Sequence, residues 1–199
     1  GAALVGAGHC VSWVAEGRSD ATRRRADQAG LEAVDSLAAG LAEADAVFSV
    51  CPPEYAGAVA EAVEETGYGG IFIDANAVSP ATSIAIGEVI GENYVDGGIV
   101  GPPAWQPGVT RLYLSGPRAP QIAALFESTL VDGRVVDGGV GAASALKMCY
   151  AAFTKGSSAL MLAVRALAER TGVTEALLAE WDICLLYTSD AADELRGVG

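Results

Sequence analysis

The chain has 199 residues, 51% of them hydrophobic and 19% charged, which is ample apolar material for a packed core of one or two domains. Its formal charge of −13 excludes a nucleic-acid footprint, since phosphate neutralisation needs clustered Lys and Arg and the only basic run is Arg23-Arg24-Arg25. No apolar run reaches the length of a membrane span, no signal peptide is visible, and Cys10, Cys51, Cys149 and Cys184 form no metal-type pairs; a cytoplasmic protein with free thiols and no metal is expected.

The chain opens on Gly1 rather than on an initiator Met, and the glycines that follow look like a phosphate loop. Gly6-Ala7-Gly8 does not qualify as one. A dinucleotide loop lies between a strand and a helix, whereas here a strand-like Cys10–Val14 follows and no third glycine sits at the required offset. The pair is expected to end a helix. After the strand comes the polar turn Glu16-Gly17-Arg18-Ser19, then a charged helix from Asp20 to Ala29 that stops at Gly30.

Short elements continue to alternate. Residues 36–43 read as a helix, 46–50 as an apolar strand broken at Pro52-Pro53, 55–65 as a helix and 71–74 as a strand. A helix over 80–91, strands over 94–100 and 111–115, and a helix over 118–129 follow. This alternation predicts a doubly wound α/β fold on a parallel sheet, with strands such as 46–50 and 71–73 buried on both faces. From Ala142 to Arg170 one long Ala-rich helix is expected, its only charges before the terminal Arg170 being Lys147, Lys155, Arg165 and Glu169. A helix apolar on nearly every side needs enclosure by other helices or a second subunit, so the domain boundary is placed near 137–141.

Lys147 is the lone charge within Ala143–Ala152. A lysine there either snorkels from an apolar helix or serves as a proton-transfer group, and the residues alone leave both readings open. Lys155, eight positions on, reads as solvent-facing.

Five segments, in order, resemble the β-hydroxyacid dehydrogenase and 6-phosphogluconate dehydrogenase family. Ala7-Gly8-His9 with Val11–Val14 and Gly17-Arg18-Ser19 looks like its second strand and following loop; Ala44–Pro53 resembles its fourth-strand stretch. Ile73–Pro80 resembles the D-x-S-T-x-x-P segment, Asp96–Pro103 the D-A-P-V-S-G-G stretch, and Gly138–Lys147 the G-x-x-G-x-G-x-x-x-K motif. The nearest subgroup is one of oxidoreductases with a distinct helical C-terminal domain.

The resemblance implies a Rossmann-like domain over 1–137 and the start of an all-helical domain over 138–183. It implies an oxidoreductase moving a hydride between a nicotinamide cofactor and a small hydroxy acid or carbonyl compound, with Lys147 catalytic. Gly1, Arg18, Ser19, Cys51, Pro52, Pro53 and Asn76 would bind cofactor; Val100, Gly101 and Pro102 would bind substrate. Glu16 and Arg18 offer the two ribose partners, and Arg18-Ser19, in the place of the family's Arg-Thr pair, selects NADP with NAD as the alternative. Gly1 would be the last glycine of the family's phosphate loop, so the first strand is expected to be missing and this fragment to be inactive, its full-length parent a homodimer.

Two positions depart from the family: Ala151 stands where an Asn is usual and Val100 where a Ser is usual, which leaves the substrate open. A non-catalytic nucleotide-binding relic and an imine-reducing relative remain the alternatives, although imine reducers typically replace the lysine. Residues 184–199, from Cys184-Leu-Leu-Tyr-Thr-Ser-Asp, resemble the in-frame translation of a sequencing-library adapter and are set apart from the fold.

Overall fold

A computed structural model of the chain describes residues 1–183; the adapter-like segment and Cys184 lie outside them. Two compact units divide at Tyr150 and Ala151.

The first unit opens with helix α1, Ala2–Gly6, which ends as the glycine pair predicts. Gly8 takes φ +89°, its amide donates to the Val5 carbonyl and the His9 amide to that of Leu4. This is a Schellman closure, in which the Gly8 and His9 amides satisfy helix carbonyls. Strand β1, Ser12–Val14, runs parallel to β2, Glu32–Val34. Between them lies α2, Asp20–Gln28, whose N-cap Ser19 accepts from the Thr22 amide. Helix α3, Leu37–Leu41, leads to β3, Ala46–Ser49. Helix α4, Ala56–Glu64, then β4, Ile71–Asp74, α5, Pro80–Ile90, and β5, Tyr94–Val100, complete the wound part.

Strands β3, β4 and β5 pair in parallel, and β4 is buried along its whole length. Its alternation feeds two cores. Ile71 and Ile73 join Leu4 of α1 on one side, while Phe72 meets Ala60 and Val63 of α4 and Ile86 of α5 on the other. The expected two-sided burial holds for 71–73 by that division, whereas β3 is only partly buried and Val50 beyond it is exposed.

The sheet is not parallel throughout. Strand β6, Thr110–Ser115, is antiparallel to β5, and β7, Val131–Val135, is parallel to β6. Residues 101–109 are too few for a crossover helix, so the chain turns straight back, as antiparallel neighbours permit. Gly101, at φ +115°, sits where a Cβ would lie 2.1 Å from the Val109 carbonyl oxygen; no other residue type fits that turn. Helix α6, Ala119–Ala124, is shorter than the predicted 118–129. β2 and β7 were not anticipated, since Glu32-Ala33-Val34 and Val131-Asp-Gly-Arg-Val135 are short and carry charge. Both form because a neighbouring strand offers an edge.

The strands form two sheets, β1-β2 and β3-β4-β5-β6-β7, so β1 and β3 each keep one edge unpaired among the described residues. Helix α7, Ala142–Thr171, matches its prediction to within a residue. Its first two turns belong to the first unit, so the division lies later than the 137–141 turn. The second unit comprises the rest of α7 and a helical segment over 174–183, with Phe153, Leu160 and Leu162 exposed. No helix among the described residues is long and apolar enough to cross a membrane.

Candidate active site

Most of the predicted site residues lie just past strand ends. In a wound parallel sheet, the loops after the carboxyl ends of the strands are the places free to hold ligands. Arg18 and Ser19 follow β1, Cys51, Pro52 and Pro53 follow β3, Asn76 follows β4, and Val100 closes β5 before Gly101 and Pro102.

After β1 the chain turns at Gly17, φ +66°, and leaves Glu16, Arg18 and Ser19 exposed. Arg23 does not join them freely: its guanidinium donates to the Ala15 carbonyl at 2.9 Å and ties α2 to the strand end. Arg18 is left as the cation of this loop.

At the ends of β3 and β4, Asn76 is buried, 4% exposed, and spent on the protein itself. Its Oδ1 accepts from the Cys51 amide at 2.6 Å, and its Nδ2 donates to Ser49 Oγ at 2.9 Å and to Asp74 Oδ1 at 2.5 Å. The expectation of a side chain reaching for ribose or substrate is corrected here: Asn76 fastens one strand end to the next. What it holds in place is the Cys51-Pro52-Pro53 turn, whose prolines are exposed.

Asp74 shows what this clamp contends with. The carboxylate is 1% exposed, and its Oδ2 has no hydrogen-bond partner. Burial raises the Asp74 carboxyl above the ordinary range, hydrogen bonds from Asn76 oppose that, and the charge of Asp96 adds to it. Nearby, burial pushes the Tyr94 phenol far up, and its hydroxyl pairs with Ser83 Oγ at 2.9 Å.

At the end of β5, Val100 is 1% exposed, so its side chain belongs to the core and the expected substrate contact through it is not present. Pairing with β6 continues to this residue, Val100 standing opposite Arg111, while the β4 ladder ends at Asp96. Gly101, Pro102 and Pro103 are exposed, and the Pro102 carbonyl accepts from Thr110 Oγ1 at 2.5 Å. Trp105, 81% exposed, stands on the same turn.

Lys147 comes to this strand end from α7. Its Nζ donates to the Ile99 carbonyl, and its side chain is half-buried. The approach is close: a Cβ on Gly98 would lie 3.0 Å from the Ala143 carbonyl oxygen and 3.1 Å from Lys147 Cβ. Lys147 thus stands at the strand end that leads into the Gly101-Pro102 turn; Asn76 follows the adjacent strand β4, and Cys51 follows β3, two strands across. Arg18 and Ser19 lie on the separate two-stranded sheet, and Gly1 caps α1.

One buried network has no motif in the sequence to announce it. The carboxylate of Asp96, fully buried in mid-strand, accepts from the Ser144 amide at 2.9 Å, from Ser144 Oγ at 2.6 Å and from Ser115 Oγ at 3.0 Å. Ser115 Oγ in turn accepts from the Ala143 amide at 3.1 Å. The signal was an acid amid apolar strand residues, which must find partners if buried. Those partners stand as far as 48 positions along the chain.

A cleft of about 440 Å³ opens between α1, the 103–105 turn and residues 128–131; Gly1 and Trp105 line it, and neither Lys147 nor Asn76 does. No group of His, Cys, Asp or Glu among the described residues could hold a metal ion, and Cys10, Cys51 and Cys149 are free thiols.

No protein-family model matches the chain. A curated relative, an uncharacterized 28.5 kDa protein from Methanothermus fervidus, is 31% identical over 173 residues; the match takes in 84% of this chain and 65% of the relative's length. Among solved structures, a conserved protein of unknown function, described as structurally similar to 3-hydroxyacid dehydrogenases, superposes with TM-score 0.75 at 29% identity, over 92% of this chain and 69% of the other. A 3-hydroxyisobutyrate dehydrogenase from Mycobacterium tuberculosis gives 0.71 at 22%, over 86% and 61%. An imine reductase from Myxococcus stipitatus, solved with NAD+, gives 0.73 at 20%, over 97% and 69%. This chain has the Rossmann-like fold that these structures share.

Proposed function

We propose that this chain, in fold one of the hydroxyacid dehydrogenase and imine reductase group, is the larger part of an NAD(P)-dependent oxidoreductase whose proton-transfer residue is Lys147. The substrate is a small hydroxy acid or a related carbonyl compound. The observation that carries the reading is Lys147 itself: the lone charge at the start of an apolar helix, held against the end of β5 just before the exposed Gly101-Pro102 turn.

The residues fit a nicotinamide dinucleotide at two places. Arg18, a free-standing guanidinium on the loop after β1, suits a ribose 2′-phosphate, which favours NADP over NAD. The exposed Cys51-Pro52-Pro53 turn, braced by Asn76, offers a rigid apolar wall where the nicotinamide would lie. Bound there, the cofactor supplies the hydride acceptor or donor. Lys147 in its neutral form takes the hydroxyl proton as the carbon is oxidised, and as the ammonium returns it in the reverse direction. Its amine stays within reach of the reacting oxygen because α7 packs tightly on Gly98.

The unpaired edges of β1 and β3 are read as the place of a further parallel strand in the working protein. Without it, the 199-residue chain is expected to bind NADPH weakly and to turn over nothing. The exposed Phe153, Leu160 and Leu162 of α7 support a homodimer for that parent, and the cytoplasm remains the expected compartment. The fold shared with imine reductases favours a second reading, reduction of a C=N bond; Lys147 speaks for the first.

The test is NADPH and NADH oxidation by the full-length parent against small keto and semialdehyde acids, with Lys147→Ala as control. Turnover lost in the variant supports the dehydrogenase reading. Cofactor binding with Lys147-independent reduction of cyclic imines supports the second, and no cofactor binding by the parent sinks both.

A further inference from the structure

Helix α7 starts without a capping side chain of its own. The residue before Ala142 is Gly141, whose carbonyl accepts from the Ala145 amide but which has nothing to offer the next amides. Four N–H groups at a helix start lack partners within the helix. Two of these, on Ala143 and Ser144, are buried, and both are satisfied from the sheet: Ser115 Oγ takes one and Asp96 Oδ2 the other. Asp96 also holds the Ser144 hydroxyl through Oδ1, so one carboxylate grips a single helical residue twice. A negative group at this end is favoured by the helix dipole, and hydrogen bonds to it are stronger than neutral ones.

The same strand receives Lys147. Ser144 and Lys147 are three positions apart and lie on one helix face, while Asp96 and Ile99 are three positions apart on β5. Strand and helix are thus pinned at two points, Asp96 to Ser144 and Ile99 to Lys147, with the bare Gly98 between them. Sliding α7 by part of a turn would break the first pin and carry the amine away from the strand end.

We propose that Asp96 is a positioning residue for Lys147: by holding Ser144, with Ser115 as its second support, it sets how far α7 runs past the end of β5 and so where the Lys147 amine stands. The proposal rests on Lys147 being the proton-transfer residue for its catalytic meaning, but the placement can be read without turnover. Asp74, opposite Asp96 on β4, and Tyr94, two residues before it, are the other titratable groups close to this network. Neither contacts Ser144 by a hydrogen bond.

The chain has two lysines, Lys147 and the exposed Lys155, which makes the experiment direct. The 199-residue chain is labelled with a small acylating reagent from pH 6 to 11, and both sites are followed by mass spectrometry. Ser144→Ala changes no charge, so any movement of the Lys147 profile reports position. The expected result is that Ser144→Ala and Asp96→Asn each raise Lys147 labelling at least about threefold toward the Lys155 rate, a difference of about 0.7 kcal/mol. Ser144→Thr, which restores the hydroxyl, should return the labelling toward wild type. If Asp96→Asn does not fold, Ser144→Ala decides alone. An unchanged Lys147 profile in a folded Ser144→Ala protein overturns the proposal. A shifted profile, combined with a parent enzyme indifferent to Lys147→Ala, upholds the positioning and removes only its catalytic purpose.

Discussion

Asp74 and Asp96 stand directly opposite each other in the parallel β4–β5 ladder, both carboxylates buried, yet the protein treats them differently. Asp96 is bound by a helix N-terminus and two hydroxyls, whereas Asp74 has one oxygen held by Asn76 and the other left bare.

The difference sets a pH dependence. Because the Asp74 carboxyl is raised in the folded state, mainly by burial, the native chain binds this proton more readily than the unfolded one. Its contribution to stability is therefore greatest in acid. That contribution falls as pH rises from the ordinary carboxylate range through the raised folded value, and a cost remains above it. Asp74→Asn keeps a carbonyl for Asn76 and removes the charge. It should raise stability at pH 7 to 8 by roughly 1 kcal/mol, an effect shrinking toward pH 4. Thermal melts of both proteins across that range check the sign; a variant less stable at pH 8 would show that the bare oxygen has a partner in solution.

Asn76 should prove a clamp. Asn76→Ala leaves the Cys51 amide and Ser49 without their partner and should cost about 2–3 kcal/mol in urea unfolding. Asn76→Asp places a carboxylate against Asp74, so it should lose more at pH 8 than at pH 5. Equal losses at the two pH values would argue against this packing of charges.

Gly98→Ala tests the close seat of α7. The added methyl meets the Ala143 carbonyl oxygen and Lys147 Cβ near 3 Å, so the helix must lift. A loss of about 1–3 kcal/mol is expected, as for other overpacked interiors. Amide exchange at Ala143 and Ser144 should quicken with it, and protection retained at those amides would contradict the geometry.

The turn after β5 gives a paired comparison. Gly101 and Gly108 both have positive φ, but only Gly101 would drive a Cβ into backbone, at 2.1 Å from the Val109 oxygen; Gly108 faces open space. Gly108→Ala should cost about 1 kcal/mol, the usual price of that backbone region for an L-residue. Gly101→Ala should cost distinctly more and disturb the β5–β6 pairing. Similar midpoints for the two variants in denaturant would refute the distinction.

The sequence by itself determined the alternation of elements, the long α7, the helix-ending role of Gly6 and Gly8, and the arrival of site residues at strand ends. Those features are local: hydrophobic period, glycine punctuation and motif order are written in neighbouring residues. Tertiary structure alone decided the antiparallel return of β6, because chain direction depends on whether 101–109 can hold a crossover. It also decided the edge strands β2 and β7, whose charged, glycine-containing segments become strands only where a neighbour presents unpaired backbone. Finally, it turned Asn76 inward, buried Val100, and set Asp96 under a helix that starts dozens of residues later. Hydrogen bonds over such separations follow from packing, which no local pattern encodes.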